Sequence, residues 1–260
     1  MNNKNTEKSF TNLLNIVRQL RGPDGCPWDK EQTHESLLPY FLEEVYEVIE
    51  GVESGDMNSL KEELGDILLH VVLQADIAQR NGEFAINDSL NLVNKKLVHR
   101  HPHVFGDHKA DGPFHAKQNW ESAKHKEKNR ESRLDGVPAS LPALTRAQRL
   151  QEKASYTGFD WEKIEQVWGK INEEIKELKE AQANGIKTRV EEEMGDVIFS
   201  IVNLARFLNI SAEAALRKTN RKFTTRFKAV EDELKSRGKT VEDSNLEEMD
   251  SIWNEVKKQH

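Results

Sequence analysis

Two stretches of this chain repeat each other. EEVYEVIEGVESGDMNSLKEELGD at 43–66 returns as EEIKELKEAQANGIKTRVEEEMGD at 173–196, displaced by 130 residues with four acidic positions held in register. In each copy the acids form two pairs spaced i,i+3: Glu44/Glu47 and Glu63/Asp66, then Glu174/Glu177 and Glu193/Asp196. Self-similarity at a fixed period means that one supersecondary unit is used twice. Apolar spacing is close to 3.6 along the whole chain and no stretch alternates as a strand does, so the expected fold class is all-α.

A helical wheel shows why the spacing matters. With Ile171 at zero, Ile175 and Leu178 fall within about 40° of it, while Glu174 and Glu177 lie about 60° and 120° to one side. With Val190 at zero, Met194, Val197 and Ile201 make the apolar stripe, and Glu193 and Asp196 flank it by about 70° and 130°. Two helices packed by these stripes bring four carboxylates together at the edge of a core. Glu173 and Glu192 point to water. An acidic pair on one helix is ordinarily a wet face, but two pairs duplicated in register ask for a shared cation.

An all-carboxylate site suits Mg²⁺, with Mn²⁺ as a substitute, better than zinc, which favours nitrogen and sulfur. A ferritin-like di-iron bundle needs Glu-x-x-His on two helices, and neither repeat has one. Five histidines, His99, His101, His103, His108 and His115, crowd one segment. Proline and glycine break that segment and no cysteine supports it, so it reads as a polar loop rather than a zinc site.

The 260 residues allow one large or two modest domains, and the net charge of −7 argues against a dedicated nucleic-acid binder. The lone Cys26 excludes an intramolecular disulfide framework. The first residues lack the apolar segment of a signal peptide, and the longest apolar run, ILLHVVL, is too short to span a bilayer. The expectation is a cytoplasmic protein with no membrane and no nucleic-acid partner. Helices are expected over about 9–21, 34–53, 58–80, 87–101, 116–130, 144–154, 162–184, 188–208, 211–237 and 245–258. Trp28, in the turn-rich RGPDGCPWD, is expected in the core. Residues 131–143, with two prolines and a glycine, read as a linker between an N-terminal repeat (1–130) and a C-terminal repeat (144–260).

The halves also match beyond the acids. Lys96 and Arg100 correspond to Lys222 and Arg226, each pair on one helix face, and Trp120 with Lys124 resembles Trp253 with Lys257. Beside an acidic site these are candidate phosphate contacts and a candidate aromatic surface for a base.

EExxE followed by ExxD in two tandem copies, with GCPWD near the start and HRHPHVFGD after the first copy, resembles MazG over essentially the whole chain. MazG belongs to the all-α nucleoside triphosphate pyrophosphohydrolase superfamily, alongside dimeric dUTPases and phosphoribosyl-ATP pyrophosphohydrolases. The resemblance implies two tandem MazG-like bundles, with helices paired into four-helix cores on dimerisation. It implies Mg²⁺-dependent hydrolysis of NTPs and dNTPs to the monophosphate and pyrophosphate by a homodimer, in a house-cleaning or stress-related role. It further implies Glu174, Glu177, Glu193 and Asp196 as metal ligands and catalytic residues, and nucleotide contacts at Arg189, Lys222, Arg226 and Trp253. The C-terminal copy is then the active one, with Glu44, Glu47, Glu63 and Asp66 as the N-terminal counterparts.

The chemistry agrees. A triphosphate brings a charge of about −4 to a site near −4, a repulsion that divalent cations reverse. Such ions bridge carboxylate to phosphate and acidify a water that attacks the α-phosphorus. No Walker A pattern is present, so a P-loop mechanism is unsupported. Arg189 corresponds to Ser59 in the first copy, the loss of a candidate phosphate-binding cation that suits a dimerisation or regulatory role, while the retained carboxylates keep a second active site open. Two alternatives stand beside this: a narrow hydrolase of one modified or deoxy nucleotide, and a non-catalytic nucleotide-binding scaffold.

Overall fold

The computed structural model describes residues 3–107, 111–128 and 130–259. Among them are twelve helices and no strand. His108, one of the five clustered histidines, lies outside the described residues. The chain divides into two compact units, Met1–Ala116 and Lys117–His260.

The first unit contains α1 (Asn3–Leu20), α2 (Pro27–Glu31), α3 (Leu38–Ser54), α4 (Met57–Arg80), α5 (Ile86–Arg100) and α6 (Pro102–Phe105). Helix α7 (Pro113–Glu127) carries the chain across the boundary. The second unit contains α8 (Ala143–Ser155), α9 (Ile164–Asn184), α10 (Lys187–Phe207), α11 (Ala212–Ser236) and α12 (Leu246–Gln259). The ten expected helices are all present, and the short α2 and α6, each opened by a proline at its first position, are additions. Segment 131–143 belongs to the second unit, where the Arg133 carbonyl accepts a hydrogen bond from Lys153 at 3.1 Å.

Each acidic repeat folds as a hairpin of two long helices, α3 with α4 and α9 with α10. The turn chemistry is duplicated too. Gly55 (φ 76°) and Gly185 (φ 72°) end the first helix of each hairpin in the left-handed conformation, where a Cβ is penalised by about 1 kcal/mol. Asp56 then caps α4 by accepting from the amides of Asn58 (2.9 Å) and Ser59 (3.2 Å). Asn209 (φ 56°) ends α10, and Ser211 caps α11.

In the first unit α1 lays Val17 against Leu37, Val72, Leu73 and Ile77. In the second, Val167 and Ile171 of α9 meet Leu204 of α10. A separate cluster joins Val230 and Leu234 of α11 to Ile252 of α12. Packing corrects the wheel in two ways. Val197 is buried, but Met194 and Ile201 are about half exposed, whereas Glu174 and Glu193 are only 6% and 9% exposed. Glu174 and Glu193 therefore lie within the helix seam, while Glu177 and Asp196 stay at its edge. The outer apolar row is duplicated: Leu64, Leu68 and Val71 on α4 match Met194, Ile198 and Ile201 on α10, and all six are exposed. Trp28 is also half exposed, packed edge-on against Tyr40 at 5.8 Å. The short helix α2, opened by Pro27, holds it at the surface instead of in the core.

Candidate functional site

Helix α9 presents Lys170, Glu173, Glu174 and Glu177 on successive turns, and α10 returns Arg189, Glu193 and Asp196 beside them. Glu174, Glu177 and Glu193 each place one carboxylate oxygen within 4.8 Å of the others. Asp196, one turn beyond Glu193, is exposed and lines a cavity together with Glu174. Burial, then the charges of Glu174 and Glu193, push the Glu177 carboxyl above the usual range.

Cations offset part of this repulsion. The Lys170 ammonium lies 2.8 Å from Glu173 and 2.7 Å from Glu174, and these two hydrogen bonds push its pKa up. Arg189 approaches Glu193 at 3.6 Å. Oxygen-only donors, crowded and partly desolvated, fit a hard divalent cation such as Mg²⁺. Sequence reading missed Lys170, although a lysine four residues before Glu174 on one helix was a visible signal.

The first unit repeats the acids without those cations. Glu44, Glu63 and Asp66 place oxygens within 4.8 Å of one another, with Glu47 outside that group. Tyr40 stands in the place of Lys170, and Ser59 in that of Arg189. Burial, reinforced by Asp66, Glu47 and Glu63, pushes the Glu44 carboxyl up to about 7. His70, whose Nε2 is 4.0 Å from Glu44, takes the place of Ser200 and is pushed down by burial.

The basic and aromatic candidates gather elsewhere in the second unit. The Arg226 guanidinium lies 5.9 Å from the Trp253 ring centre, and Phe223 packs on the same ring at 5.3 Å. Lys222 is exposed on α11. None of the three lines the cavity that Glu174 and Asp196 share. Of their N-terminal counterparts, Lys96 is half-buried, Arg100 is buried, and Trp120 falls in the second unit rather than with its own repeat. Among the described residues the groups able to share a metal are these acidic ones and contain no histidine.

The cavity has a volume of about 630 Å³. Its walls come from α8, from the α8–α9 connection with Phe159, Asp160 and Trp161, from Val167, Lys170 and Glu174 of α9, and from the Asp196–Arg206 face of α10. Arg206 closes one side by pairing with Asp160, Nη1 to Oδ2 at 2.8 Å. The YTGFDW segment (156–161) carries no recognisable motif in the sequence. The fold makes it a wall.

An all-α chain built of two acidic helical hairpins, each able to hold a divalent ion, defines the class. Comparison with known proteins narrows it. The MazG nucleotide pyrophosphohydrolase domain matches residues 32–105 and 163–231. A Thermotoga maritima protein named nucleoside triphosphate pyrophosphohydrolase/pyrophosphatase MazG is 47% identical over 95% of both chains. The nucleoside triphosphate pyrophosphohydrolase of Escherichia coli K12 is 45% identical over 95% of this chain and 96% of its own. An uncharacterized Bacillus subtilis protein, YabN, is 45% identical over 95% of this chain, which spans 51% of its length. The chain belongs to the MazG nucleotide pyrophosphohydrolase family.

Proposed function

We propose that this enzyme hydrolyses nucleoside triphosphates, ribo and deoxy, to monophosphate and pyrophosphate at the C-terminal acidic group, with Mg²⁺ as the natural ion and Mn²⁺ as a substitute. The observation that carries the reading is the convergence of Glu174, Glu177 and Glu193 within 4.8 Å beside a cavity that Glu174 and Asp196 line. The names of the Thermotoga maritima and Escherichia coli relatives support the reaction class.

Glu174, Glu177, Glu193 and Asp196 would hold the ion. When bound, Mg²⁺ supplies charge neutralisation at the phosphates and a water of lowered pKa. The protein's own contribution is positional. Burial of Glu174 and Glu193 in the α9–α10 seam fixes their rotamers, and the Lys170 contact at 2.7 Å orients Glu174. Arg189, Lys222 and Arg226 are the proposed phosphate contacts, with Trp253 bracing Arg226. Water adds to the α-phosphorus, the bond to the β-bridging oxygen breaks, and pyrophosphate leaves with the electron pair.

The N-terminal copy, without counterparts to Lys170 and Arg189, is assigned to dimerisation or regulation. The exposed apolar rows on α4 and α10 support a homodimer in which hairpins complete four-helix cores. No single helix among the described residues is long and apolar enough to cross a membrane, in keeping with a cytoplasmic, nucleotide-pool role.

The test is ATP hydrolysis in oxygen-18 water, with and without EDTA. Label in AMP, none in pyrophosphate, and loss of turnover on chelation is the expected result. Label in inorganic phosphate would place the attack at the γ-phosphorus, and binding without turnover would favour the scaffold reading.

A further inference from the structure

Gln151 is 8% exposed and forms part of the cavity wall. Its Nε2 donates to the Phe199 carbonyl at 2.8 Å, which fixes the orientation of the amide and leaves Oε1 as the free end. That Oε1 is buried and has no hydrogen-bond partner. A buried amide oxygen left unmatched costs roughly 1–3 kcal/mol, so a ligand that supplies an N–H at this point gains by it. Around it stand Phe159, Trp161 and Phe199, three large side chains that are about 40% or more exposed. Aromatic faces flanking a single acceptor suit a flat heterocycle entered edge-first.

We propose that this cavity is the base subsite of the enzyme, and that Gln151 Oε1 is its specificity-determining acceptor, taking an N–H from the base. The inference rests on the pyrophosphohydrolase reading and extends it. The cavity lies on the same hairpin as the acids, through Glu174 and Asp196, so a base held here leaves the phosphate chain at the carboxylates. Every standard base carries an N–H donor on its pairing edge: N6 of adenine, N4 of cytosine, N1 and N2 of guanine, N3 of uracil and thymine. One acceptor therefore admits them all and disfavours only a base with no donor. Asn203, whose Oδ1 is occupied by Arg206 at 2.9 Å, offers its amide N–H to the neighbouring acceptor of the base.

The first repeat is built against such a ligand. At the same 130-residue offset, where Leu14 and Leu20 match Leu144 and Leu150, Arg21 replaces Gln151. Its guanidinium is buried and bonded to Asp76 at 3.0 Å, to the Asp29 carbonyl and to the Gln32 carbonyl. His70 and Leu73 replace Ser200 and Asn203, both buried. There the Arg21 guanidinium is spent on its own contacts and Leu73 is apolar, while His70 Nδ1 is buried without a hydrogen-bond partner.

The experiment compares ATP with purine ribonucleoside triphosphate, which lacks the amino group and so any base N–H, as substrates of the full-length protein. In parallel, calorimetry in EDTA compares AMP with purine ribonucleoside monophosphate as ligands. The wild type is expected to favour the amino-bearing member of each pair roughly 10- to 100-fold. Gln151→Met is expected to bring both ratios close to one. Equal handling of the two members by the wild type, or ratios unchanged in a folded Gln151→Met protein, would overturn the proposal. Absence of turnover with the AMP preference intact would leave the subsite standing and remove the hydrolysis reading instead.

Discussion

At the scale of single residues, the most consequential group outside the acids is one that sequence patterning hid. Lys153 and Glu121 are both buried and paired at 3.1 Å, and Arg149 approaches the same carboxylate at 3.3 Å. Helix α7 reads as merely polar, and its partner lies 32 positions away, beyond any local periodicity. Burial pushes the Glu121 carboxyl up, but the Lys153 hydrogen bond, with the charges of Lys153, Lys124 and Arg149, outweighs it and holds the group below its usual value. A depressed folded pKa contributes stability that is full above the unfolded value near 4.3 and is lost as pH falls through the folded value. Thermal melts of Lys153→Met at pH 7 should show a loss of about 3–5 kcal/mol, because the variant strands a buried carboxylate. Restoring neutrality with Glu121→Gln should recover much of it, and the double variant should lose less stability than the wild type between pH 5 and pH 3. An unshifted melt in Lys153→Met would show the pair to be solvated. Gln151 was invisible for a different reason: it is an ordinary polar residue whose meaning depends on the Phe199 carbonyl that α10 brings against it.

At the scale of elements, the helices were legible because apolar period, glycine stops and short polar caps agree at nearly every boundary. What periodicity could not tell was which of two apolar rows faces inward. Val197 and Leu204 lie on one row of α10, and Met194, Ile198 and Ile201 on another. A wheel centred on Val190 merged them. The exposed row, repeated by Leu64, Leu68 and Val71 of α4, is a regular apolar surface of the kind proposed above to pair in a dimer. Ile198→Glu, judged by sedimentation velocity, should shift a dimer towards the 29.9 kDa monomer with helix content retained. A wild-type protein that sediments as a monomer would contradict the dimer reading.

At the scale of the whole molecule, one ancestral hairpin has been used twice and the copies have diverged in what surrounds the acids. The carboxylates are kept in both: Glu44, Glu63 and Asp66 crowd together much as Glu174, Glu177 and Glu193 do. Their setting is not kept. Tyr40, Ser59 and Arg21 replace Lys170, Arg189 and Gln151, so the first copy has lost the flanking cations and filled its interior. The duplication and the acid set could be read from spacing alone, and Ser59 against Arg189 was a visible difference. The cavity could not be read, because only Glu174 and Asp196 of its lining belong to a motif, and the rest comes from α8, the α8–α9 connection and other positions of α9 and α10. The central claim is that the C-terminal group alone performs the hydrolysis. The most direct measurement is steady-state pyrophosphate release from ATP by Glu193→Gln and Glu63→Gln, each in the full chain with Mg²⁺. The account predicts a fall of at least about 100-fold for Glu193→Gln, the scale expected when a group acting at the transition state is removed, and near wild-type turnover for Glu63→Gln. Half the activity left in each variant would mean two working sites, and full activity in Glu193→Gln would move the chemistry to the first repeat.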